Sequence, residues 1–326
     1  MILLTGATGF IGRRVLRRLL SEGAEVRALV RPQSRHRLDR GAQAAIGDLT
    51  DPSSLQQAVA CCRTVIHLAG LRGNWHADPL AAERVNVAGT HTLLQYALEA
   101  GVERVLCVST FLVLGPSQGS PRTEADRWPM DRALSEYQRT RILADLECRT
   151  FLDRGLPVIT VYPSIVYGPS VVRGESLISD LARAHAKRRV VLLVGTGHAR
   201  RNLAYIDDVV EGLLQALEAG QPGQGYNLGG EDVSQVALFD LLDDLTGRRV
   251  PRCHLPATLV RSAGWLLEAV AAATKRPPRL TRASIDVLFQ EWRLSSEKAQ
   301  RDLGYRPTPL KEGLRRTLAA CHEGDA

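Results

Sequence analysis

A tyrosine and an arginine that lie four residues apart are the side chains of this sequence best suited to proton transfer. Tyr137 and Arg141 fall within a predicted helix, and helical residues four apart share one face. A fixed cation beside a phenol stabilises the phenolate, so the pair would serve as an acid–base group. Ser109 and Thr110 end a predicted strand, where a hydroxyl would hydrogen-bond a substrate carbonyl. Taken alone, a tyrosine and an arginine on one helix face are usually only part of the protein surface.

A glycine-rich turn near the start of the chain predicts a dinucleotide site. It runs from Thr5 to Gly12, after a short apolar strand and before an apolar-periodic helix. This order directs free N–H groups and the positive end of the helix dipole at a pyrophosphate. Gly6 would tighten the turn, Gly9 would admit the pyrophosphate, and Gly12 would let the helix pack closely on the strand.

Residues after the next strands predict which dinucleotide binds. Arg31 directly follows the second strand, where an acidic residue would select NAD and an arginine would pair with the 2′-phosphate of NADP. We therefore expect NADP rather than NAD, with Arg13 and Arg35 as further cations. Asp48 follows the third strand and would accept from the adenine amine, whereas Asp51, before Pro52, is the better helix cap.

The fourth strand ends in His67-Leu68-Ala69-Gly70, whose small residues would let the cofactor lie close. His67 has no evident catalytic partner in the sequence. We interpret it as a histidine at the end of a strand whose ring nitrogens are hydrogen-bonded within the protein.

These groups must be positioned by strands and helices that alternate through the first half of the chain. Alternation of this kind predicts an α/β fold, a doubly wound parallel Rossmann sheet with a smaller, mostly helical C-terminal substrate-binding part. Residues 1–169 with about 201–229 would form the dinucleotide domain, and about 170–200 with 230–326 the substrate part. Predicted strands are Met1–Leu4, Glu25–Val30, Gln43–Ile46, Thr64–Leu68, Arg104–Val108, Val158–Val161, Val190–Val194 and Gly225–Leu228. Predicted helices are Ile11–Ser21, Ser53–Ala60, Ala82–Ala100, Ala133–Asp153 and Asp207–Ala219.

The chain resembles the extended short-chain dehydrogenase/reductase family over nearly its whole length. The resemblance rests on the motifs above and on further segments in the same order: Asn86–Thr90, Ser109–Gly115, Tyr162–Pro169, Arg201–Asp208 and Lys298–Pro307. It implies an NAD(P)-dependent oxidoreductase in which Tyr137 is the acid–base, Thr110 the substrate-polarising hydroxyl and Asn86 a supporting residue. The residues that it and the motifs assign to the cofactor are Gly6, Thr8, Gly9, Phe10, Ile11, Gly12, Arg31, Asp48, Leu49, Leu68, Ala69, Gly70, Pro163 and Ser164.

Two departures from the family pattern bear on function. Arg141 stands where the family usually has lysine, which both stabilises the phenolate and holds the nicotinamide ribose; arginine keeps the charge but has a wider, planar head. Ile165 stands where nucleotide-sugar epimerases of the family usually have asparagine, although Arg201 matches a residue that many of them use on the diphosphate. Phe111 and Arg201 are the substrate candidates. A nucleotide-sugar epimerase or dehydratase and a non-catalytic dinucleotide-binding protein stay open as alternatives.

The C-terminal region favours a hydrophobic substrate. Residues 255–273 are unusually apolar, and the arrangement of Pro278–Thr281, Trp292–Ser295 and the Lys298 motif resembles the 3β-hydroxysteroid dehydrogenase and dihydroflavonol reductase branches. Three interpretations of the apolar stretch are open: a helix packed on the core, a lid over an apolar substrate, and a face that touches a membrane surface.

Composition excludes several other classes. The chain of 326 residues has a net charge of +7, without basic runs interleaved with aromatics, so we expect no nucleic-acid partner. The six cysteines, Cys321 among them, lack metal-ligand spacing, which predicts no metal site and reduced thiols in the cytoplasm. A strand starting at Met1 leaves no room for a leader, and no stretch predicts a membrane span. The expected partner is a small-molecule substrate; a homodimer through Ala82–Ala100 and Ala133–Asp153 is open.

Overall fold

The computed structural model describes residues 1–170, 172, 174–185, 190–274, 276–278 and 281–324. Arg279, Leu280 and the side chain of Cys321 lie outside the described part. The strands are β1 (Ile2–Thr5), β2 (Val26–Val30), β3 (Gln43–Ile46), β4 (Thr64–His67), β5 (Arg104–Val108), β6 (Val158–Pro163), β7 (Ile165–Tyr167), β8 (Val191–Val194), β9 (Arg200–Tyr205), β10 (Gly225–Leu228), β11 (Glu231–Ser234) and β12 (Arg252–Leu255). The α-helices are α1 (Phe10–Ser21), α2 (Pro52–Val59), α3 (Gly89–Glu99), α4 (Glu136–Asp153), α5 (Leu177–His185), α6 (Ile206–Ala219), α7 (Gln235–Thr246), α8 (Ala257–Thr274), α9 (Arg282–Phe289), α10 (Glu297–Leu303) and α11 (Leu310–Gly324).

Seven parallel strands form one sheet in the order β10-β6-β5-β4-β1-β2-β3. The chain winds outward from β1 in both directions, so the order reverses between β1 and β4. That reversal is the point at which open α/β sheets bind ligands, beyond the carboxyl ends of the strands. All seven strands fall within the residues predicted for the dinucleotide domain, while the division into two parts stays a prediction.

Both faces of the sheet are covered by helices. Neighbouring residues of a strand point to opposite faces, and Leu3 and Leu4 accordingly belong to two different apolar clusters. One cluster includes residues of α1 and α6, and the other includes residues of α2, α3 and α4. The predicted doubly wound α/β class is therefore confirmed.

The remaining described strands form two small sheets, β11-β9-β7 and β12-β8. Of these strands only β8 was predicted from the sequence. The predicted helix Ala82–Ala100 divides into a π-helical turn, Glu83–Ala88, followed by α3. The helix predicted from Ala133 begins only at Glu136, because the Ser135 hydroxyl accepts a hydrogen bond from the Gln138 N–H at 3.1 Å and caps it there.

The apolar stretch near the C-terminus forms α8, and most of its large side chains face outward. Leu259, Leu266 and Val270 are 58%, 59% and 51% exposed. The interpretation of these residues as core packing is therefore wrong. The buried positions of α8 include Gly264, where an added Cβ would lie 2.6 Å from Ile285 of α9. Within the described residues no helix is long and apolar enough to cross a membrane.

Candidate active site

A cavity of about 740 Å³ lies at the carboxyl ends of the central strands. All fourteen residues assigned to the cofactor from the sequence line this cavity, as do Thr110, Tyr137 and Arg141. The fold thus brings together segments that are up to about half the chain apart. A cavity of this size, at the point where the strand order reverses, fits a dinucleotide with a small molecule beside it.

The glycine-rich turn has no space for side chains at two positions. Gly6 has a φ of +75°, and a Cβ there would lie 2.8 Å from the backbone nitrogen of Ala69. A Cβ at Gly12 would lie 2.1 Å from the carbonyl oxygen of Gly6. Glycine is therefore required for α1 to start this close to β1, which leaves the helix N-terminus directed at the cavity.

Basic side chains surround the part of the cavity that follows β2. Arg31 and Arg37 line it, together with the buried Ser34. The sequence named Arg13 and Arg35 as additional cations, but Arg35 is not part of the lining and Arg13 forms an ion pair with Glu175 at 2.8 Å. The 3-10 turn over Pro32–Arg37 explains the difference, because it carries Arg37 back to the cavity.

The carboxylate at the end of β3 is held by local hydrogen bonds. Asp48 Oδ1 accepts from the backbone N–H of Thr50 at 2.9 Å and from its hydroxyl at 2.7 Å. Asp51 caps α2, as predicted, by accepting from the N–H of Ser53 at 3.1 Å. Asp48 is thus fixed at the cavity wall, where one of its oxygens already has two donors.

Helix α4 is fixed to the end of β5 by two side chains that follow Tyr137 in the helix. Gln138 Nε2 donates to the carbonyl oxygen of Leu112 at 2.8 Å, and Arg141 Nη2 donates to that of Val108 at 2.5 Å. Both acceptors lie within two residues of Thr110. These bonds hold the tyrosine helix against the strand end that carries Thr110.

The guanidinium of Arg141 is buried between the ends of β4 and β5. A Cβ on Gly70 would lie 2.9 Å from Arg141 Nη1, so the glycine provides the space that the guanidinium needs. Asn86 supports the same region of the site. Its Oδ1 accepts from the N–H of Leu71 at 2.7 Å, and its Nδ2 donates to Thr140 Oγ1 at 3.2 Å. The π-helical turn that carries Asn86 is a distortion that is frequent at functional sites.

Three buried polar atoms in the cavity wall have no hydrogen-bond partner among the described residues. They are Ser109 Oγ, Ser164 Oγ and Arg141 Nε. Buried polar atoms are nearly always paired in folded proteins, so such a group indicates that something else completes it. Together with the glycine cradle, this observation means that the cavity fits a dinucleotide with polar ribose and amide groups.

His67 lies behind this wall and is fully paired. Its two ring nitrogens contact Thr5 Oγ1 at 2.8 Å and Thr90 Oγ1 at 2.9 Å. Burial, and secondarily the charge of Arg141, lowers the pKa of His67 to about 3, so the ring stays neutral. His67 is therefore a structural residue, as the sequence predicted.

The two substrate candidates do not line the cavity. Phe111 is buried and meets Trp292 edge to face, with ring centroids 5.5 Å apart. Arg201, the second residue of β9, donates to the carbonyl oxygen of Leu288 and has an Nε atom without a partner in the described chain. Burial lowers the pKa of Arg201. Both residues lie close to the chain that joins α9 to Trp292, beside the cavity rather than in its wall.

A segment that sequence reasoning did not assign to the site closes one side of the cavity. Val172, Gly174, Glu175, Ser176 and Leu177 all contribute to the lining. The carboxylate of Glu175, only 8% exposed, pairs with Arg13 at 2.8 Å and with Arg37 at 3.4 Å. It thereby joins α1 and the turn after β2 across the cavity, and no motif in the sequence marks it. The described residues contain no cluster of side chains able to hold a metal ion.

Comparison with known proteins gives a consistent result. The model of the NAD dependent epimerase/dehydratase family matches residues 2–229. The chain is 30% identical over 321 residues to a putative dihydroflavonol 4-reductase of Synechocystis sp., covering 95% of this chain and 91% of the relative. A second relative is the 4-hydroxy-2-methyl-3-oxo-4-farnesyl-3,4-dihydroquinoline-1-oxide ketoreductase of Stigmatella aurantiaca. It is 30% identical over 309 residues, which cover 92% of this chain and 90% of the relative. The fold is similar to that of the dTDP-glucose 4,6-dehydratase of Streptomyces venezuelae, which was solved with NAD bound. The TM-score is 0.80 and the sequence identity 26%, and the match covers 99% of this chain and 97% of the other.

Proposed function

Because the chain belongs to the NAD dependent epimerase/dehydratase family, we propose that it is an NADPH-preferring oxidoreductase that interconverts a ketone and a secondary alcohol. The substrate is a fairly hydrophobic small molecule. The observation that carries the proposal is that Thr110, Tyr137 and Arg141 line the same cavity as the glycine-rich turn. A hydroxyl, an acid–base group and a fixed cation at a dinucleotide site are the groups that carbonyl reduction needs.

Each of the three residues has a distinct part in the proposed reaction. A nicotinamide bound in the cavity supplies or accepts the hydride. The Thr110 hydroxyl donates a hydrogen bond to the substrate oxygen and so orients the carbonyl. The Tyr137 hydroxyl gives its proton to that oxygen as the alcohol forms, and Arg141 stabilises the phenolate that remains. In the oxidative direction the same phenolate takes the proton back.

The preference for NADP rests on Arg31 and Arg37. Both arginines line the cavity just after β2, the place where the 2′ substituent of the adenosine ribose lies in folds of this kind. A planar guanidinium pairs well with a phosphate, and no acidic side chain of the lining follows β2 directly to accept from a ribose hydroxyl. We therefore expect NADPH to bind more tightly than NADH.

A hydrophobic substrate is supported by two independent features. One relative is named as a putative dihydroflavonol 4-reductase, and another as the ketoreductase of a dihydroquinoline that carries an apolar farnesyl chain. In this chain, the cavity that Thr110 and Tyr137 line also has Leu71, Val172 and Leu177 in its wall. Apolar side chains in the wall of a binding cavity favour an apolar substrate.

The test is turnover by wild-type protein and by Tyr137→Phe, followed by NADPH absorbance. The substrate panel contains steroid ketones, flavanonols, medium-chain β-keto compounds and 4-keto sugar nucleotides. We expect wild-type turnover of an apolar ketone and a loss of about a thousandfold in Tyr137→Phe, with NADPH binding little changed. Full activity of the variant would refute the mechanism, and titration with NADPH and NADH tests the cofactor preference.

A second candidate, a nucleotide-sugar epimerase or dehydratase, is favoured by Arg201. Its buried guanidinium has an Nε atom without a partner in the described chain, and a diphosphate would supply one. Under this alternative UDP- or dTDP-sugars, but not steroids, would raise the melting temperature, and Arg201→Met would abolish that effect. NADPH binding without turnover on the whole panel would favour the third possibility, a non-catalytic dinucleotide-binding protein.

A further inference from the structure

Helix α8 has an apolar face that no described part of the chain covers. Leu259, Leu266 and Val270 are separated by seven and four residues, a spacing that places them on one side of a helix. Trp265, 60% exposed, lies beside them. The opposite side, with Val260 and Gly264, is buried and packs toward α9. Large apolar side chains concentrated in this way on a surface mark an interaction site.

Positive charge is concentrated around the same helix. Residues 248–279 contain seven Arg and Lys residues and one acidic residue, Glu268. The other 294 residues contain 35 basic and 34 acidic residues, so almost the whole net charge of the chain lies in this segment. The basic residues lie mainly before and after α8 rather than on it. An apolar face bordered by cations is therefore a local feature of this segment.

Some of these cations are neutralised within the protein and others are not. Arg252 pairs with Asp240 and Asp243, and Arg261 pairs with Asp286. Arg249 and Arg276, at the two ends of the segment, are exposed and have no ion-pair partner in the described part of the chain. They are thus available to an anionic surface that α8 touches.

We propose that α8 and the basic residues at its ends bind the surface of anionic lipid bilayers. Apolar side chains that enter the headgroup region, a tryptophan at the interface and flanking arginines are the features that such surfaces recognise. A second copy of this chain fits less well. In a two-fold symmetric pair the same patch faces itself, so two strongly basic segments would meet and repel each other.

The position of α8 places this surface near the catalytic strand end. Helix α9, on which α8 packs, donates no catalytic group, but Ser284 in it accepts from Asn74 Nδ2 at 2.9 Å, in the loop after β4. Trp292, just after α9, contacts Phe111, which follows Thr110. One helix thus separates the lipid-binding face from residues next to the site, a short path for an apolar molecule dissolved in the bilayer.

Binding of the full chain to vesicles tests the proposal. The probes are vesicles of phosphatidylcholine alone and of phosphatidylcholine with about one-third phosphatidylglycerol, in a flotation assay. We expect binding to the anionic vesicles only, weakened by salt, with quenching of Trp fluorescence by brominated lipid that is lost in Trp265→Phe. Leu266→Glu/Val270→Glu should weaken binding by about tenfold or more. Arg249→Glu/Arg276→Glu should weaken it in the same direction.

The matched control is Leu80→Glu/Leu146→Glu, which changes two exposed leucines away from α8 and should bind like the wild type. All variants should keep the wild-type melting temperature and NADPH affinity, because none of these residues lines the cavity. No binding by the wild type would overturn the proposal, as would equal binding by the α8 variants. A wild-type dimer that Leu266→Glu/Val270→Glu converts to a monomer would assign the face to self-association instead.

Discussion

The guanidinium of Arg141 holds a place that the family usually gives to an ammonium group. It reaches the Val108 carbonyl oxygen and the space beside Gly70 at once, which a lysine with a single nitrogen cannot do. Arg141 is therefore built into the wall of the site as well as being a cation near Tyr137. Its Nε atom is buried and has no hydrogen-bond partner among the described residues.

Removal of that charge should reduce turnover more than cofactor binding. We expect Arg141→Met to lower kcat by about a hundredfold or more, because the phenolate loses its stabilising cation. Arg141→Lys should retain most of the activity, since the charge is kept. Single-turnover kinetics and an NADPH titration separate the two effects. Arg154→Met, which removes an exposed arginine at the end of the same helix, is the control; Arg141→Met with wild-type kcat would contradict the assignment.

His67 should make the protein less stable in acid. Its folded pKa, about 3, lies below the ordinary value of 6.5, so the unfolded chain takes up a proton first as the pH falls. Stability from this group is complete above pH 6.5 and is lost progressively toward pH 3, by about 1.4 kcal/mol per pH unit.

Urea unfolding of wild-type protein and His67→Gln at several pH values measures this effect. The variant is expected to be less stable at neutral pH, since it loses hydrogen bonds to Thr5 and Thr90. Between pH 7 and pH 5 it should lose about 2 kcal/mol less than the wild type. Equal slopes for the two proteins would show that His67 titrates normally.

At the scale of residues, the sequence predicted which side chains line the cavity better than it predicted the contacts around them. The glycine turn and Thr110 follow strands of the parallel sheet directly, and Tyr137 lies in the first turn of α4, so local patterns were enough to find them. Arg37 and Glu175 were missed, because their contact joins parts of the chain 138 residues apart and no local pattern encodes it. Phe111 could not be placed without knowing that Trp292 returns to cover it.

Among the elements, the segment that precedes α5 is the one that should govern cofactor exchange. It lines the cavity and is held there by Glu175, whose carboxylate pairs with Arg13 and Arg37. The backbone oxygen of Glu175 also accepts from Arg72 at 3.3 Å. Three arginines from three different elements thus hold a single residue of this segment.

Glu175→Gln should raise the association rate of NADPH several-fold. The variant loosens the segment and frees two arginines that attract phosphate, so the rate should also become more sensitive to salt. Stopped-flow measurements at low and high salt check both effects. Glu211→Gln, which removes a carboxylate near Arg18 away from the cavity, should behave as the wild type. An unchanged rate in Glu175→Gln would mean that the segment does not limit entry.

The elements that were missed from the sequence share a cause. Strand β7 has only three residues, and β9 begins Arg200-Arg201-Asn202, so neither has the apolar run or alternation that identifies a strand. Asn202 is instead held in β9 by groups that are distant in the sequence, because its side-chain amide donates to the Gly230 oxygen at 3.0 Å and to Asp232 at 2.8 Å. The six strands of the first half are apolar and bounded by turns, and their positions were predicted within two residues.

For the whole molecule, the connections between its parts predict a single cooperative unfolding transition. The edge strand β10 is held by residues of the C-terminal region: Asn227 donates to the Ser295 oxygen, Gly229 to the Ser296 hydroxyl, and Lys298 to the Gly225 oxygen, each at 2.9 Å. Disruption of either region therefore removes hydrogen bonds from the other.

Unfolding in urea should give coincident curves by far-ultraviolet circular dichroism and by tryptophan fluorescence. Two of the four tryptophans, Trp265 and Trp292, lie in the C-terminal region, whereas most of the strands that the dichroism reports lie before it. NADPH should shift both curves equally, since a ligand of the native state stabilises the whole cooperative unit. Two separate transitions, of which NADPH moves only one, would show that the parts unfold independently.

Composition alone did not predict which way α8 faces. Its hydropathy is that of a core helix, and only the packing of Gly264 against Ile285 shows that a narrow side is buried. A segment of the same composition would be buried if another element covered it. The uneven distribution of charge along the chain, by contrast, can be read from the sequence.

The late arrival of β10 has a consequence for synthesis of the protein. Strand β6 (Val158–Pro163) pairs on its outer side with β10, which the ribosome completes some sixty residues later. Until then a strand rich in β-branched and aromatic residues presents an open edge, the kind of surface that recruits other nascent chains. The interval between these two strands is therefore the stage at which aggregation competes with folding and a chaperone would help most.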